Sequence, residues 1–321
     1  MKIAVVGATG MVGETLLRVL GERDLPAHDL GAFASRDRSE GARYRGAPLE
    51  VRATSDEALV PYDAIFFASS EESSGRYAPP QLERGAIVID NSSTFRLTPG
   101  VPLIVPEVNP GAIGASDRLF PVGNCTAIIL CVALAPIRDL AGLARVRVAT
   151  YQAVSGAGRA TLEEFDAGRG PIVGNVIPQI GTLDDRGTSG EEAKVREETR
   201  KVLELPALPI SVTAVRVPVR TAHSEAVSFE TERPTSVDEL AAAFERAPGI
   251  VYHRDAIVTP REVEGTDLVH VARLRAEDAD APAGRGRHFA MWVVGDQLRK
   301  GAATNGVQIF ELLLARGLVR R

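Results

Sequence analysis

Short apolar runs alternate with amphipathic stretches along the first third of the chain. The first run, 2–7, ends in a glycine turn, and apolar positions with helical spacing follow over about 11–20. Further runs lie at 29–34, 62–70, 85–90 and 103–109. Such runs are typical of strands buried on both faces of a parallel sheet. The pattern predicts an α/β fold of the doubly wound, Rossmann type, with ligands at the carboxyl ends of the strands.

The pattern changes after residue 145. Stretches that alternate apolar and polar residues, as strands with one solvated face do, lie at 145–152, 216–220, 225–230, 268–274 and 288–294. Helical spacing returns at 191–203, 236–247 and about 303–315, and Ser236 with Glu239 forms a capping-box pattern. We predict a second, α+β domain here, with a largely antiparallel or mixed sheet.

The turn after the first run has three glycines in the spacing G-x-x-G-x-x-G, which differs from the commoner G-x-G-x-x-G. Between a strand and a helix, glycines allow a tight turn and a close approach of the backbone to a pyrophosphate at the helix N-terminus. The alternative is an ordinary loop. We predict a dinucleotide site formed by Gly7, Thr9, Gly10, Met11, Val12 and Gly13.

The second run ends in the polar stretch 35–41, where an NAD site usually has an acidic residue for the ribose 2′-hydroxyl. A hydroxyl group and arginines suit a 2′-phosphate better, which favours NADP(H) as the cofactor. Because Asp37 and Glu40 lie in the same stretch, two alternatives stay open. The stretch could be a solvated polar loop, or the site could also accept NAD. The candidate contacts are Ser35, Arg36, Arg38 and Ser39.

Composition narrows the classes of partner. The 321-residue chain has a formal net charge of −5, which gives no reason to expect nucleic acid or a membrane surface as a partner. No apolar run approaches the length of about 18 residues that a membrane span needs, and no signal-peptide pattern is found. Two cysteines on opposite faces of one predicted helix fit neither a disulfide nor a cysteine-rich zinc site. We expect a cytoplasmic protein without a metal site.

A Gly-Asn turn places Cys125 at the predicted start of an apolar helix. The unpaired N–H groups and the positive dipole end of a helix favour a thiolate over a thiol, and they can also hold an oxyanion or a phosphate. The alternative is that Cys125 is a small buried structural residue. Cys131, further along the same helix, is interpreted as a core residue.

Seven motifs along the chain together resemble the aspartate-β-semialdehyde dehydrogenase family, almost from end to end. They are Gly7-Ala-Thr-Gly-Met-Val-Gly13, Asn91-Ser-Ser-Thr-Phe-Arg96, Gly123-Asn-Cys-Thr126, Tyr151-Gln-Ala-Val-Ser-Gly-Ala-Gly158, Glu191-Glu-Ala-Lys194, Arg216-Val-Pro-Val-Arg-Thr-Ala-His-Ser-Glu225 and Leu298-Arg-Lys-Gly-Ala-Ala-Thr-Asn305. The resemblance implies reversible reduction of L-4-aspartyl phosphate by NADPH to L-aspartate 4-semialdehyde and phosphate. This reaction lies on the route to lysine (through diaminopimelate), threonine and methionine.

The resemblance also implies a role for each site residue. Cys125 would be the nucleophile that forms a thioester, His223 the acid/base, and Gln152 the residue that orients the acyl group. Arg216 and Glu191 would hold the α-carboxylate and the α-amino group of the substrate. The implied phosphate contacts are Arg96, Asn124 and Lys194, and the cofactor contacts added are Ser155, Gly156 and Asn305.

The family's last helix returns to the nucleotide domain. The resemblance therefore implies an NADP-binding domain at 1–126 plus 300–321, and a catalytic and dimerisation domain at 127–299. A homodimer, or a dimer of such dimers, is expected, with small molecules as the other partners.

Each assignment has an alternative. His223 alone could be structural, Arg96 an exposed loop residue, and Gln152 a strand-edge amide, while Glu191 and Lys194 could form a surface ion pair. N-acetyl-γ-glutamyl-phosphate reductase is the nearest rival enzyme, but a carboxylate aimed at a free ammonium group argues against it. A non-catalytic paralogue, or a plain NADP-binding protein with a structural Cys125, are the remaining hypotheses.

Overall fold

The structure is a computed structural model, and it describes residues 1–23, 25, 29–37, 41–277 and 285–319. The chain divides into two compact units: unit 1 comprises Met1–Gly123 with Ala302–Arg321, and unit 2 comprises Asn124–Gly301. The boundaries expected from the sequence lie at 126/127 and 299/300. The first of these would cut the helix Cys125–Ala141 near its start, and the second lies two residues before the observed break, within the same π-helical turn Arg299–Ala303.

Unit 1 contains a six-stranded parallel sheet with the order β5-β2-β1-β6-β7-β8. Its strands, and a small hairpin formed by β3 and β4, are β1 Lys2–Val6, β2 Asp29–Ala34, β3 Arg43–Tyr44, β4 Ala47–Pro48, β5 Val51–Ala53, β6 Ala64–Phe67, β7 Ile87–Asp90 and β8 Leu119–Pro121. Its helices are α1 Met11–Glu22, α2 Asp56–Leu59, α3 Glu71–Glu83 and α9 Thr304–Ala315, with a 3-10 turn at Pro110–Ala112. The strand order reverses between β1 and β6, which confirms the predicted doubly wound sheet.

The strand expected at 103–109 is wrong. The Asn109 side chain takes up backbone hydrogen-bonding groups that a strand would pair with its neighbour. It accepts a hydrogen bond from the Val105 N–H and donates one to the Leu103 carbonyl, both at 2.9 Å. Pro106 has no N–H for a sheet ladder. The sixth strand of the sheet is the short β8, which has no comparable apolar run.

Unit 2 contains a six-stranded mixed sheet with the order β10-β9-β11-β14-β13-β12, in which the two outer pairs are parallel. Its strands are β9 Arg145–Gln152, β10 Ile210–Arg216, β11 His223–Ser236, β12 Ile250–His253, β13 Val269–Ala276 and β14 Arg285–Gly295. Its helices are α4 Cys125–Ala141, α5 Arg159–Asp166, α6 Gly190–Val202, α7 Val237–Arg246 and α8 Pro260–Val263, with a 3-10 turn at Val154–Ala157. The predicted α+β domain with a mixed sheet is confirmed, and so is the capping box of Ser236 and Glu239.

The strand expected at 216–220 is wrong, because β10 ends at Arg216 and the chain turns there. Pro218 donates no hydrogen bond, and the Val219 N–H bonds to the nearby Val217 carbonyl. Helix α4 packs against α6, α7, β11 and β14, which buries nearly all of its apolar side chains. In the described ranges, no helix has both the length and the apolar character needed to cross a membrane.

Candidate active site

Cys125 lies at the first position of α4, as the sequence predicts. Asn124 is the N-cap residue, and its Oδ1 accepts hydrogen bonds from the backbone N–H groups of Thr126 (3.0 Å) and Ala127 (3.2 Å). This cap fixes the direction in which α4 starts, and with it the position of the half-buried Cys125 thiol. Cys131, in contrast, is fully buried, and burial raises the pKa of its thiol, so it stays protonated and inert.

Glu191, on α6, connects the cysteine turn to Gln152. One oxygen of its carboxylate, Oε1, accepts hydrogen bonds from the Asn124 side-chain amide (2.9 Å) and from the Gln152 side-chain amide (3.2 Å). Gln152 is at the end of β9 and is 1 % exposed. Three residues predicted for the site are thus joined at one atom, while Glu191 Oε2 makes no hydrogen bond to another described residue.

His223 opens β11 and is fully buried. Its Nδ1 accepts a hydrogen bond from the Ala153 N–H (3.0 Å), so a neutral ring carries its proton on Nε2. Burial, and then the positive charge of Arg216, lower the pKa of His223 to about 3. The ring is therefore neutral at physiological pH, with Nε2–H as its one remaining donor.

Arg216 ends β10 and lies beside His223. Its Nη1 donates a hydrogen bond to the Ala153 carbonyl (2.7 Å), so the backbone of one residue, Ala153, positions both side chains. A Cβ on Gly156 would come within 2.9 Å of Arg216 Nη1 and 3.1 Å of His223 Nε2, so a glycine is needed here for both side chains to pack against the backbone. Burial lowers the pKa of the Arg216 guanidinium, and the negative charges of Cys125 and Glu191 oppose this shift. Arg216 therefore lies within electrostatic reach of both residues.

Lys194 lies one turn after Glu191 on α6 and is half-buried. Its ammonium group makes no hydrogen bond or ion pair with another described residue. The alternative of a surface ion pair with Glu191 is therefore not found in the described part of unit 2. Lys194 remains available for an anion.

In unit 1, Arg96 follows β7 and is buried, with its Nη2 bound to the Asn91 carbonyl (2.8 Å). The loop that carries it is shaped by Asp90, whose carboxylate accepts hydrogen bonds from Ser74 and from the backbone and hydroxyl of Ser92. Arg96 is therefore fixed at the carboxyl edge of the parallel sheet. The alternative of an exposed loop arginine is excluded.

The glycine turn of unit 1 is shaped as a dinucleotide site requires. Gly7 has φ +83°, and a Cβ there would lie 2.3 Å from the Ala68 carbonyl oxygen. A Cβ on Gly13 would lie 2.1 Å from the Gly7 oxygen, so α1 can approach β1 only with a glycine at this position. Gly10 caps α1 without a side-chain acceptor, which leaves the first-turn N–H groups for a pyrophosphate. The residues present fit the cofactor that the sequence predicts.

The loop after β2 is described only in part. Ser35 and Arg36 are exposed, and the Arg36 guanidinium makes no hydrogen bond to another described residue. Asp37 is also exposed, and its Oδ1 accepts a hydrogen bond from the Ala53 N–H (2.6 Å), which leaves Oδ2 as an acceptor, so the acceptance of NAD stays an open alternative. The other candidates, Arg38 and Ser39, lie outside the described residues.

Two further cofactor candidates have partners within their own unit. Ser155, in unit 2, is buried and accepts a hydrogen bond from the Gln297 amide. Asn305, in unit 1, is fully buried near the start of α9 and donates from its amide to the Ile104 carbonyl (3.0 Å). Cofactor contacts from Ser155, Gly156 and Asn305 stay predictions.

Two family models match the chain: "Semialdehyde dehydrogenase, NAD binding domain" over residues 2–116 and "Semialdehyde dehydrogenase, dimerisation domain" over residues 134–300. Aspartate-semialdehyde dehydrogenase of Aquifex aeolicus is 39% identical, with 99% of each chain covered. The crystal structure of aspartate semialdehyde dehydrogenase II from Vibrio cholerae is 38% identical, with a TM-score of 0.91 and 98% of each chain covered. This chain belongs to the aspartate-semialdehyde dehydrogenase family.

Membership of the aspartate-semialdehyde dehydrogenase family confirms the predicted enzyme class and the nicotinamide-dinucleotide cofactor. The site geometry agrees with this family match. In unit 2, contacts and charges connect the predicted site residues Cys125, Gln152, Glu191, Arg216 and His223. No group of three or more His, Cys, Asp or Glu residues that could hold a metal ion is found in the part of the chain that the structure describes.

Sequence reasoning missed residues that support this family's site. Ala222, directly before His223, has φ +68°, a strained conformation for alanine, and its N–H is held by Gln297 Oε1 (2.8 Å). The Gln297 amide also donates a hydrogen bond to the Ser155 hydroxyl. Gln297 therefore links the 3-10 turn at Val154–Ala157 to the residue before His223. A Cβ on Gly301 would lie 2.8 Å from the Cys125 Cβ. Gly301 stands within a quoted motif, but no pattern in the sequence pairs it with Cys125.

Proposed function

We propose that this chain oxidises L-aspartate 4-semialdehyde to L-4-aspartyl phosphate, with NADP as the hydride acceptor and phosphate as the second substrate, and that it catalyses the reverse reduction. The observation that carries the proposal is the shared contact at Glu191 Oε1, which joins the N-cap of the Cys125 helix to Gln152. This contact supports one site with a nucleophile, an acyl-orienting amide and a carboxylate. A structure of the Vibrio cholerae relative is titled as a complex with ASA.

The groups of unit 2 can carry the oxidative direction. The Cys125 thiolate attacks the aldehyde carbon, a C–S bond forms, and the carbonyl oxygen becomes an alkoxide to which His223 Nε2–H donates a hydrogen bond. The nicotinamide cofactor, when bound, supplies the hydride acceptor, and loss of hydride leaves a thioester on Cys125. A phosphate oxygen then attacks the thioester carbon, the C–S bond breaks, and Cys125 leaves as a thiolate.

The acid/base role of His223 stays a prediction with one structural condition. A second proton would bind at Nδ1 and point at the Ala153 N–H, so His223 can take up a proton only after this hydrogen bond opens. For the remaining groups, Arg216 suits the α-carboxylate and Glu191 Oε2 the α-ammonium group. Lys194 suits the phosphate, and a phosphate contact from Arg96 of unit 1 stays a prediction.

The decisive experiment measures NADPH formation by the purified protein with L-aspartate semialdehyde, NADP and phosphate. Cys125→Ser should lower kcat by at least about 1,000-fold, because an alcohol replaces the thiolate nucleophile. Cys131→Ser is the matched control and should keep most of the rate. N-acetylglutamate semialdehyde tests the rival reductase. A Cys125→Ser variant that keeps its rate, or turnover of the acetylated aldehyde alone, would overturn the proposal.

We propose a homodimer formed through unit 2, which the dimerisation-domain match supports. The segment between α5 and α6 exposes the apolar side chains Val173 (43 %), Val176 (57 %) and Leu183 (53 %), which a partner subunit could cover. Val176→Asp should lower the mass found by light scattering to that of a monomer. The control is Ile257→Asp, at an apolar side chain 74 % exposed outside this segment, which should leave the dimer intact. A dimeric Val176→Asp variant would contradict this interface.

We further propose a cytoplasmic location, because a cysteine nucleophile and a structural thiol both need a reducing compartment. Cell fractionation with an antibody against the chain tests this. Recovery in an oxidising compartment would contradict it.

A further inference from the structure

Helix α6 carries a second buried carboxylate, Glu198, two turns after Glu191. Glu198 is 1 % exposed, and its Oε2 accepts a hydrogen bond from the backbone N–H of Asn124. Residues seven positions apart lie on the same face of a helix. The face of α6 that binds the Asn124 side chain therefore binds its backbone as well.

Asn124 is consequently fixed on three sides. Glu191 holds its side-chain Nδ2, Glu198 holds its backbone N–H, and its Oδ1 is bound by the first amides of α4. It is the residue before Cys125 and the first residue of unit 2. With its backbone and side chain both held, the peptide that leads into Cys125 has one orientation.

We propose that Glu198 is a positioning residue for the nucleophile: it fixes the backbone of Asn124 and, through it, the direction of the Cys125 side chain. This inference rests on the proposed function for its kinetic consequences. Glu198 does not need to contact the substrate. A small displacement of a nucleophile can reduce a rate about 100-fold, so a single backbone hydrogen bond at this point matters.

The Glu198 carboxylate also carries a negative charge, and substitutions can test the effect of this charge separately from the effect of the hydrogen bond. A negative charge beside the N-terminus of α4 offsets part of the positive helix dipole that favours the Cys125 thiolate. Glutamine at position 198 keeps an acceptor oxygen for the Asn124 N–H and removes the charge. Alanine removes both. The two variants therefore have different expected effects.

The experiment compares Glu198→Gln, Glu198→Ala and the control Glu197→Ala. Glu197 is the neighbouring residue on α6, but it is 40% exposed and forms ion pairs with Arg196 and Arg200. Glu198→Ala should lower kcat by about 10- to 100-fold with the semialdehyde KM within about threefold of wild type, because the loss is one of alignment. Glu198→Gln should restore kcat to within about threefold, and Glu197→Ala should match wild type.

Alkylation of Cys125 by iodoacetamide at pH 7 supplies a readout that needs no turnover. Cys125 should react faster in Glu198→Gln than in wild type, because the charge that offsets the helix dipole is gone. Equal kcat values for the Gln and Ala variants, a loss confined to KM, or an unchanged alkylation rate in Glu198→Gln would each overturn the inference. If the wild type lacked semialdehyde activity, the proposed function would fail while the alkylation comparison still tested Glu198.

Discussion

Helices α1 and α4 both begin after a glycine-containing turn, but different kinds of partner hold their first turns. At α1 the contacts are made by backbone atoms close in sequence, such as the Gly10 N–H and the Gly7 oxygen (3.0 Å). At α4 side chains hold the turn, and two of them come from positions 67 and 74 residues further along the chain. The arrangement at α1 leaves backbone amides available for a ligand, whereas the arrangement at α4 fixes the direction of the Cys125 side chain.

This difference follows from what each turn has to do. A pyrophosphate is recognised by N–H groups that remain unoccupied, so the α1 turn needs space and no side-chain cap. A nucleophile must point in one direction, so the α4 turn needs groups that restrict it. The α1 turn should therefore be most sensitive to added atoms, and the α4 turn to deleted ones.

The largest effect is expected from an added methyl group at α1. Gly13→Ala places a Cβ against the Gly7 oxygen, so α1 must move away from β1, and the dissociation constant of NADP should rise by about 100-fold or more. Fluorescence titration with NADPH measures this. Gly21→Ala, on the same helix, has its tightest contact with the flexible Arg45 side chain at 3.3 Å and its other contacts at ordinary van der Waals distances, so it should bind NADPH normally. Equal NADPH affinities in Gly13→Ala and Gly21→Ala would contradict the expectation that the α1 turn is sensitive to added atoms.

Deletion of a side chain should affect α4 next. Asn124→Ala removes the cap, which costs about 1 kcal/mol of stability, and should also lower kcat about 10- to 100-fold because the Cys125 turn loses its contact with Glu191. The control is Ser236→Ala, which removes the corresponding cap of α7. It should lose similar stability and keep its kcat. If the two variants lost activity equally, the Asn124 cap would have no role beyond stability.

Acid should also act through unit 2, because among the described residues the fully buried histidine, His223, lies there. The unfolded His223 titrates near 6.5, and the folded pKa is lowered to about 3, so the unfolded state binds more protons between these values. Its contribution to stability is complete above pH 6.5 and is lost as the pH falls toward 3. Between pH 6.5 and 5 this amounts to about 2 kcal/mol.

Calorimetry on wild type and His223→Gln checks this slope. Glutamine cannot be protonated, and the other titrating groups are common to both proteins, so the variant should lose less stability on acidification. Parallel losses would show that His223 is not held neutral in the folded protein.

The contrast between local and long-range contacts also explains which features the sequence predicts correctly. The glycine turn, β2 at Asp29–Ala34 and Cys125 at the start of α4 follow from local pattern, and all three are confirmed. The contacts of Glu198 and Gln297 depend on residues far apart in the chain, so no spacing rule indicates them. The strand that the pattern predicts at 103–109 does not form, because Asn109 competes locally for the hydrogen bonds of the segment.

The smallest effect is expected at the polar loop after β2 in unit 1, where a side chain would bind the 2′-phosphate of the cofactor. Arg36, exposed after β2, is the described candidate for the 2′-phosphate. Arg36→Ala should raise the KM for NADP about tenfold, the value of one charge-assisted contact, and leave the KM for NAD unchanged, since NAD has no 2′-phosphate. Arg118→Ala is the control, because Arg118 lies at the amino end of β8, away from the ligand edge. If Arg36→Ala raised both KM values alike, Arg36 would act on the pyrophosphate region, and if neither changed, the specificity would reside elsewhere in the 35–41 loop.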